Sequence, residues 1–406
     1  MTADIKKPFK GIKVVDLTSY LAAPLSGRLM AELGADVIKI ESFKGDPYRT
    51  YGTAMCCPID EKENPVFDAY NASKRSCPIN VKTAKGKEIF FKLLEDADVF
   101  LTNNRAQSLE KLGIDYASIK DRFPRLVYVT ISGYGMKGPD VNQPGFDSIA
   151  FFAKSGMLAD VVMKGAMPAI PISAGGDNMT GLIGYCAIVT ALLARERTGK
   201  GDHIDVSLYG NGVWMAGLLA LTSHFGEIYP KERYTLKPCN NNVYQCGDGE
   251  WVAFTILEFE RYFSKFCEVL ECPDLAKDPR WQTRADSLKH RAELIPEIEK
   301  VLIRFSSDEV VKRLQSVDIV VSKVMHYKDL EFEPQALEND YMRIVEAENG
   351  DKYPTFINPL KSENIGQYEF KRGPHLGENT VEVLGELGYS TEEIDQLVNE
   401  GIVLKR

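Results

Sequence analysis

The stretch AGGDNMTG, residues 174–181, sets one carboxylate among small side chains directly before the apolar run LIGYCAIVTALLA. Two chemistries fit Asp177. As a helix N-cap it would accept free backbone N–H groups and meet the positive end of the helix dipole. As a nucleophile it stands where flanking glycines let a substrate carbonyl approach. The residue types alone leave both readings open. Three further groups carry basic and amide side chains: Asn71-Ala72-Ser73-Lys74-Arg75, Asn103-Asn104-Arg105, and Lys111. Charge-assisted hydrogen bonds from such donors suit phosphate oxygens. Each group by itself reads as a solvated surface, but their placement together on one α/β segment favours a nucleotide-like anion.

Other chemistries find less support. Residues 133–138, GYGMKG, match GxGxxG after a strand, but Pro139 and Pro144-Gly145 follow where a dinucleotide site needs a helix N-terminus. The segment reads as a glycine-rich loop. No GxSxG elbow is present, and the 5 histidines are dispersed without HExxH spacing. The 8 cysteines, at positions 56, 57, 77, 186, 239, 246, 267 and 272, form no CxxC pair and read as reduced thiols. No metal site is expected.

The elements that must position these residues alternate. Residues 13–17 read as a buried strand, 24–33 as a helix opened by Pro24 and closed by Gly34, and 36–41 as a second strand. A helix over 84–96 and strands at 99–102 and 126–131 continue the pattern. Strand, helix and strand in so short a span imply a parallel sheet, whose ligands sit beyond the carboxyl ends of its strands. The loops after Leu17, Thr102 and Ile131 are the places to look. The texture then changes to aromatic strands at 242–245 and 251–255 and charged helices at 262–270, 292–305 and 307–314. The expectation is α/β: an open parallel, Rossmann-like large domain formed by 1–225 and 320–406, with a smaller α+β domain at 226–319. Helices at 380–387 and 391–399 end the chain.

The 406 residues, 44% of them apolar, can bury a substantial core, and the net charge of −9 disfavours nucleic acid or an anionic membrane as main partner. No apolar segment follows the N-terminal lysines, and the run after Asp177 is shorter than the roughly 20 residues that cross a bilayer. A cytoplasmic location is expected.

Taken in order, GIKVVDLTSYLAAPLSGRLMAELGADVIKIE, KGDPYR, NASKRS, TAKGKEIFFKLLEDADVFLTNNR, LVYVTISGYGMKGP, PGFD, GGDNMTG, RTGKGDHIDVSL and PHLGENTVEVLGELGY resemble the class III coenzyme A transferases. The resemblance covers essentially the whole chain. It implies that Asp177 is the nucleophile, attacking an acyl-CoA thioester through an aspartyl anhydride and an aspartyl-CoA thioester. It implies CoA contacts at Leu21, Ala22, Ala23, Asn71, Lys74, Arg75, Asn103, Asn104, Arg105 and Lys111, with Gly175 and Gly176 at the substrate and oxyanion. CoA thioesters are then substrates, with no permanently bound cofactor, and the partners are an acyl-CoA, a small carboxylic acid and a second copy in an interlocked homodimer. Two departures stand out: Leu21 where the formyl-CoA enzymes have glutamine, and Asn104-Arg105-Ala106-Gln107 in place of NFRPG. The family's racemase branch uses histidine in a GHD motif where this chain has Gly145-Phe146-Asp147, and Phe146 carries no proton. PGFD and ESFKGDPYR look most like the enzymes of amino-acid fermentation that activate (R)-2-hydroxy acids such as 2-hydroxyisocaproate or phenyllactate. A bile-acid or carnitine-type acceptor is the alternative.

Overall fold

The early strands carry adjacent apolar residues, Val14-Val15, Val37-Ile38 and Val99-Phe100-Leu101, so both faces of the sheet must be covered, and the computed structural model has this arrangement. It describes residues 6–60, 62–234, 241–365, 368 and 370–406. The first unit runs β1 (Lys13–Leu17), α1 (Ala22–Glu32), β2 (Asp36–Lys39), α2 (Pro65–Asn71), β3 (Arg75–Ser76), α3 (Ala84–Glu95), β4 (Val99–Thr102), β5 (Val127–Ser132), α4 (Gly175–Thr198), β6 (His203–Ser207) and α5 (Leu208–His224), with short turns of helix between. The strands form one parallel sheet in the order β3-β2-β1-β4-β5-β6. This is the doubly wound order, built from two βαβαβ halves.

On one face Val14, Val37, Val99, Leu101, Val127 and Val129 pack with Ala23 and Met30 of α1 and Ile188 and Leu192 of α4. On the other, Val15, Ile38, Phe100 and Tyr128 pack with Ile89, Phe90 and Leu93 of α3. α2 begins as its sequence dictates: Asn64 accepts the Phe67 N–H at 3.2 Å and Pro65 takes a first-turn position that needs no donor. α1 starts at Ala22 rather than Pro24, which then lies within the first turn, where its missing N–H still costs nothing.

Helices α1 and α4 meet along a seam to which α4 brings two glycines and no side chain at those positions. A Cβ at Gly181 would lie 2.7 Å from the Ala22 carbonyl oxygen, and one at Gly184 would overlap Ser26 Oγ. The Ser26 hydroxyl donates to the Gly181 carbonyl at 2.8 Å. α4, at 24 residues, has the length and apolarity to span a bilayer, and one face of it, with Gly181, Gly184, Ile188 and Leu192, is buried in this unit.

The second unit comprises Ala159–Pro168 and Phe225–Leu330. It holds the antiparallel strands β7 (Asn241–Gln245), β8 (Trp251–Thr255) and β9 (Val320–Lys323), with α6 (Phe259–Val269), α7 (Arg291–Leu302) and α8 (Ser307–Gln315). Tyr244, Phe254, Phe266, Trp281, Ile298 and Leu314 form its core. Its limits differ from the sequence expectation of 226–319. β9 pairs with β8 and carries the unit on to Leu330, while Lys164 joins residues 159–168 to it by donating its N–H to the Lys231 carbonyl at 2.8 Å.

The chain then returns to the first unit through the hairpin β10 (Met342–Glu346) and β11 (Lys352–Phe356) and the helices α9 (Thr380–Glu386) and α10 (Thr391–Asn399). Val383, Leu384, Ile394 and Leu397 complete the α3 face of the core. The described cysteines are free thiols; Cys239 lies outside the described residues.

Candidate active site

The strand order reverses between β1 and β4, which makes their carboxyl ends the crevice of this sheet. Asn103 laces the two loops there. Its Oδ1 accepts the Ser19 N–H at 3.0 Å, and its Nδ2 donates to the Ser19 carbonyl at 2.7 Å. Asn104 Nδ2 donates to the Leu17 carbonyl at 3.0 Å. Leu21, Ala22 and Ala23 open α1 at this point with their side chains buried. No side-chain oxygen caps α1, so this positive helix end presents backbone amides in the crevice. Arg105 and Lys111 follow on the same side after β4; both are exposed, with no ion pair among the described residues.

Three residues expected to touch a phosphate are occupied by the protein itself. Lys74 is buried, and its Nζ donates to Asp16 Oδ2 (2.8 Å), the Pro24 carbonyl (2.8 Å) and Asn71 Oδ1 (2.9 Å). Asn71 is thereby a buried link in that group, with its Nδ2 given to the Phe67 carbonyl at 3.2 Å. Burial opposes ionisation of Asp16, but Lys74 and Lys39 hold its carboxyl below the usual range. Arg75 pairs with Asp36 at 2.6 Å, the first residue of β2, and with Glu386 at 2.8 Å. It therefore reaches away from the strands' carboxyl ends and fastens α9 to the sheet.

Asp177 is not the cap of its helix. α4 starts after Ala174, a residue in the left-handed region at φ 60, and Asp177 lies in the first turn. The cap comes from Asp147, 30 residues earlier: its Oδ1 accepts the Asp177 N–H at 3.0 Å, and the carboxylate also takes the N–H groups of Ala174 and Gly176. Gly176 has no side chain because a Cβ would overlap the Phe151 ring and Asp147 Oδ1. Gly175 donates its N–H to the Ile172 carbonyl at 3.2 Å. Both glycine amides thus have internal partners, and the space expected for a substrate at Gly176 is filled by protein.

The Asp177 carboxylate is different. Among the described residues, no hydrogen bond or ion pair reaches it. Burial, with Asp147 as a second negative charge close by, pushes its pKa up to about 7. Asp147 is raised as well, by burial, against its three backbone hydrogen bonds. A half-buried, unpaired carboxylate of raised basicity at a helix N-terminus is chemically a nucleophile or a base.

Aromatic residues surround it. Burial and then the charge of Asp177 raise the hydroxyl pKa values of Tyr48 and Tyr70, so both stay protonated. Tyr70 donates to Asn178 Oδ1 at 3.0 Å. The Tyr20 ring meets Phe146 edge to face at 5.4 Å between centroids and Tyr48 at 6.1 Å. Residue types and spacing singled out Asp177 but neither Asp147 as its neighbour nor Tyr20, Tyr48 and Tyr70. The only signal for Asp147 was the motif PGFD, and for Tyr48 the motif KGDPYR. Residues 133–138 make a turn in which Gly135 donates to Ser132 Oγ at 3.0 Å, and no helix starts there. Among the described residues no group of three or more His, Cys, Asp or Glu side chains is placed to hold a metal ion.

The family described as CoA-transferase family III matches residues 9–380. The (R)-2-hydroxy-4-methylpentanoate CoA-transferase of Clostridioides difficile is 34% identical over 394 residues, 97% of this chain and 99% of that protein. The cinnamoyl-CoA:phenyllactate CoA-transferase of Clostridium sporogenes is 33% identical over 402 residues, 98% of each chain. A CAIB/BAIF family protein from Brucella suis superposes with a TM-score of 0.81 at 29% identity, covering 94% of this chain and 100% of its own.

Proposed function

The chain belongs to CoA-transferase family III and is a CoA-transferase, and from that premise we propose that Asp177 passes coenzyme A to an (R)-2-hydroxy acid. The donor is an acyl-CoA or enoyl-CoA, and the acceptor is of the 2-hydroxy-4-methylpentanoate (2-hydroxyisocaproate) or phenyllactate kind named for two relatives. The observation that carries this reading is the Asp177 carboxylate, unpaired and raised to about 7 beside aromatic rings. Ionised, it attacks the thioester carbonyl and expels the CoA thiolate, giving a mixed aspartyl anhydride. The thiolate then attacks the aspartyl carbonyl, the donor acid leaves, and an aspartyl-CoA thioester remains. The acceptor carboxylate attacks that thioester, the thiolate leaves again, and its attack on the acceptor's carbonyl forms the new acyl-CoA and frees Asp177. One thioester is exchanged for another, so the transfer lies near energy balance and covalent catalysis divides it into easier steps. The positive end of α4 favours each oxyanion that forms beside it.

The crevice between β1 and β4 accepts the CoA moiety in this proposal. Arg105 and Lys111 meet phosphate oxygens, Ala22, Ala23 and Asn104 line the path, and Asn71, Lys74 and Asn103 hold it from behind. No cofactor is bound permanently, and the setting is cytoplasmic, without nucleic acid or membrane. The working form is an interlocked homodimer. Its support is α5, where Val213, Trp214, Met215, Leu218 and Leu221 are all exposed, a cluster of apolar side chains of the kind that marks protein contacts. A bile-acid or carnitine-type acceptor would suit the same chemistry but gains nothing from the two relatives named above. An acyl-CoA racemase would need an acid or base at Phe146, which supplies neither.

The test is mass spectrometry of products from 4-methylpentanoyl-CoA and (R)-2-hydroxy-4-methylpentanoate, with wild type and Asp177→Ala. Formation of the hydroxyacyl-CoA by wild type alone is expected. Equal transfer by Asp177→Ala would overturn the nucleophile assignment.

A further inference from the structure

We propose that Tyr20 matches the acid's side chain to this site and that Asp46 is the positioning residue that holds Tyr20 in place; both rest on the transferase reading above. Tyr20 follows β1 with φ at 67, in the left-handed region. There the Cβ of an L-residue crowds the backbone, a strain that glycine escapes. Core packing does not require the ring, which is 40% exposed. A strained, exposed aromatic beside a nucleophile is retained for what it touches.

Asp46 compensates the strain. Its Oδ1 accepts the N–H groups of Tyr20 (3.2 Å) and Tyr48 (3.0 Å), so one carboxylate holds the backbone under two rings that meet edge to face. Its Oδ2 pairs with Lys39 at 2.9 Å, and Lys39 donates to the Thr18 carbonyl at 3.0 Å, anchoring the start of the same loop. The Asp46 N–H is given to Glu41 Oε1 at 2.9 Å. Lys39 and Asp46 are buried, so this array has no freedom to turn outward.

Tyr20, Tyr48 and Phe146 then form a wall next to Asp147 and Asp177. Ring faces and edges make good contacts with a branched aliphatic or aromatic side chain. They offer a short side chain little to touch. The class of acid favoured is thus a 2-hydroxy acid with a bulky apolar side chain, over a small one such as (R)-2-hydroxypropanoate.

The experiment measures kcat/KM for (R)-2-hydroxy-4-methylpentanoate and (R)-2-hydroxypropanoate, with 4-methylpentanoyl-CoA as donor, in wild type, Tyr20→Gly, Asp46→Ala and the double variant. Tyr20→Gly, which can adopt the left-handed backbone, should lower the ratio of the two by about tenfold or more. Tyr20→Asn, a residue that also tolerates this conformation, repeats the test if the glycine variant does not fold. Asp46→Ala, which removes the oxygen that accepts the Tyr20 N–H, should lower the ratio too, but cause no further loss once Tyr20 is glycine. An unchanged ratio in Tyr20→Gly overturns the role of Tyr20 while wild-type transfer leaves the transferase reading standing. Additive losses overturn the link from Asp46 to Tyr20. Absence of CoA transfer to either acid by wild type overturns the proposed acceptor class and this inference with it.

Discussion

Two groups of charge lie in the first unit and are treated in opposite ways. Asp16, Lys39, Asp46 and Lys74 are buried in ion pairs of 2.8 and 2.9 Å, with backbone carbonyls and amides taking their remaining bonds. Asp147 and Asp177 share a site in which, among the described residues, no cation pairs with either, and both are raised. The paired group fixes the loops of the crevice and each of its charges faces an opposite one, although burial outweighs Asp16 at Lys74 and brings its amine down to about 8. The unpaired group keeps a carboxylate whose protonation changes near neutrality. Charge satisfied inside the fold serves geometry, and charge left unsatisfied is available for reaction.

Removing one partner from the paired group should have the largest effect. Lys74→Met leaves Asp16 buried without its ion-pair partner, with Lys39 as the remaining nearby cation, and is expected to cost about 3–5 kcal/mol, measured by urea unfolding. Replacing Asp16 by Leu in the same chain should recover most of that loss. Should Lys74→Met keep wild-type stability and only raise KM for acyl-CoA, Lys74 belongs with the ligand contacts and the contrast fails.

The unpaired group should respond in the other direction. The Asp177 pKa rises from 3.8 unfolded to about 7 folded. Between these values the folded state holds a proton that the unfolded state has lost, so this group's contribution to stability falls as pH rises across that window. Asp177→Asn should therefore melt at a higher temperature than wild type at pH 8 and at about the same temperature at pH 4. A gain at both pH values would place the strain in packing and not in charge.

The same raised value sets the rate. In the free enzyme, kcat/KM should climb as pH passes through about 7, where Asp177 loses its proton. Asp147→Asn removes the neighbouring charge while its amide oxygen still accepts the helix N–H groups. The climb should then move to lower pH by about one unit or less. An unmoved profile would show that burial alone raises Asp177.

The smallest effect is expected on the exposed side of the crevice. Arg105→Ala with Lys111→Ala should raise KM for acyl-CoA about threefold to tenfold at low salt and less at high salt, as solvated charges do. No change at low salt would remove both residues from the proposed phosphate contacts.

The sheet was legible in the sequence because each strand carries its own apolar pattern. Val14 and Val15 pack on opposite faces, as do Val99 and Phe100, and 13–17 and 99–102 were read with the boundaries that β1 and β4 have. Asp177 was legible as a candidate, though its role as a cap was not decided by local pattern. The capping carboxylate lies 30 residues away, and nothing near Asp177 announces it. Lys74 looked like a phosphate ligand because its partner, Asp16, is 58 residues distant and is brought to it by strand pairing. The second unit's end was misread because β9 is short and half exposed, so its pairing with β8 leaves little hydrophobic trace.

The seam of Gly181, Gly184 and Ser26 bears on how such a protein can change its diet. Backbone rests on backbone there, so the two helices behave as one casting, with the nucleophile at one edge and the start of the ligand crevice at the other. Tyr20 and Phe146 are outside that casting, on loops, with much of their rings in solvent. New acids can be tried by recutting those two rings while the reacting atoms keep their alignment. A bulkier residue at 181 or 184 would shift the nucleophile and the crevice together, for every acid at once.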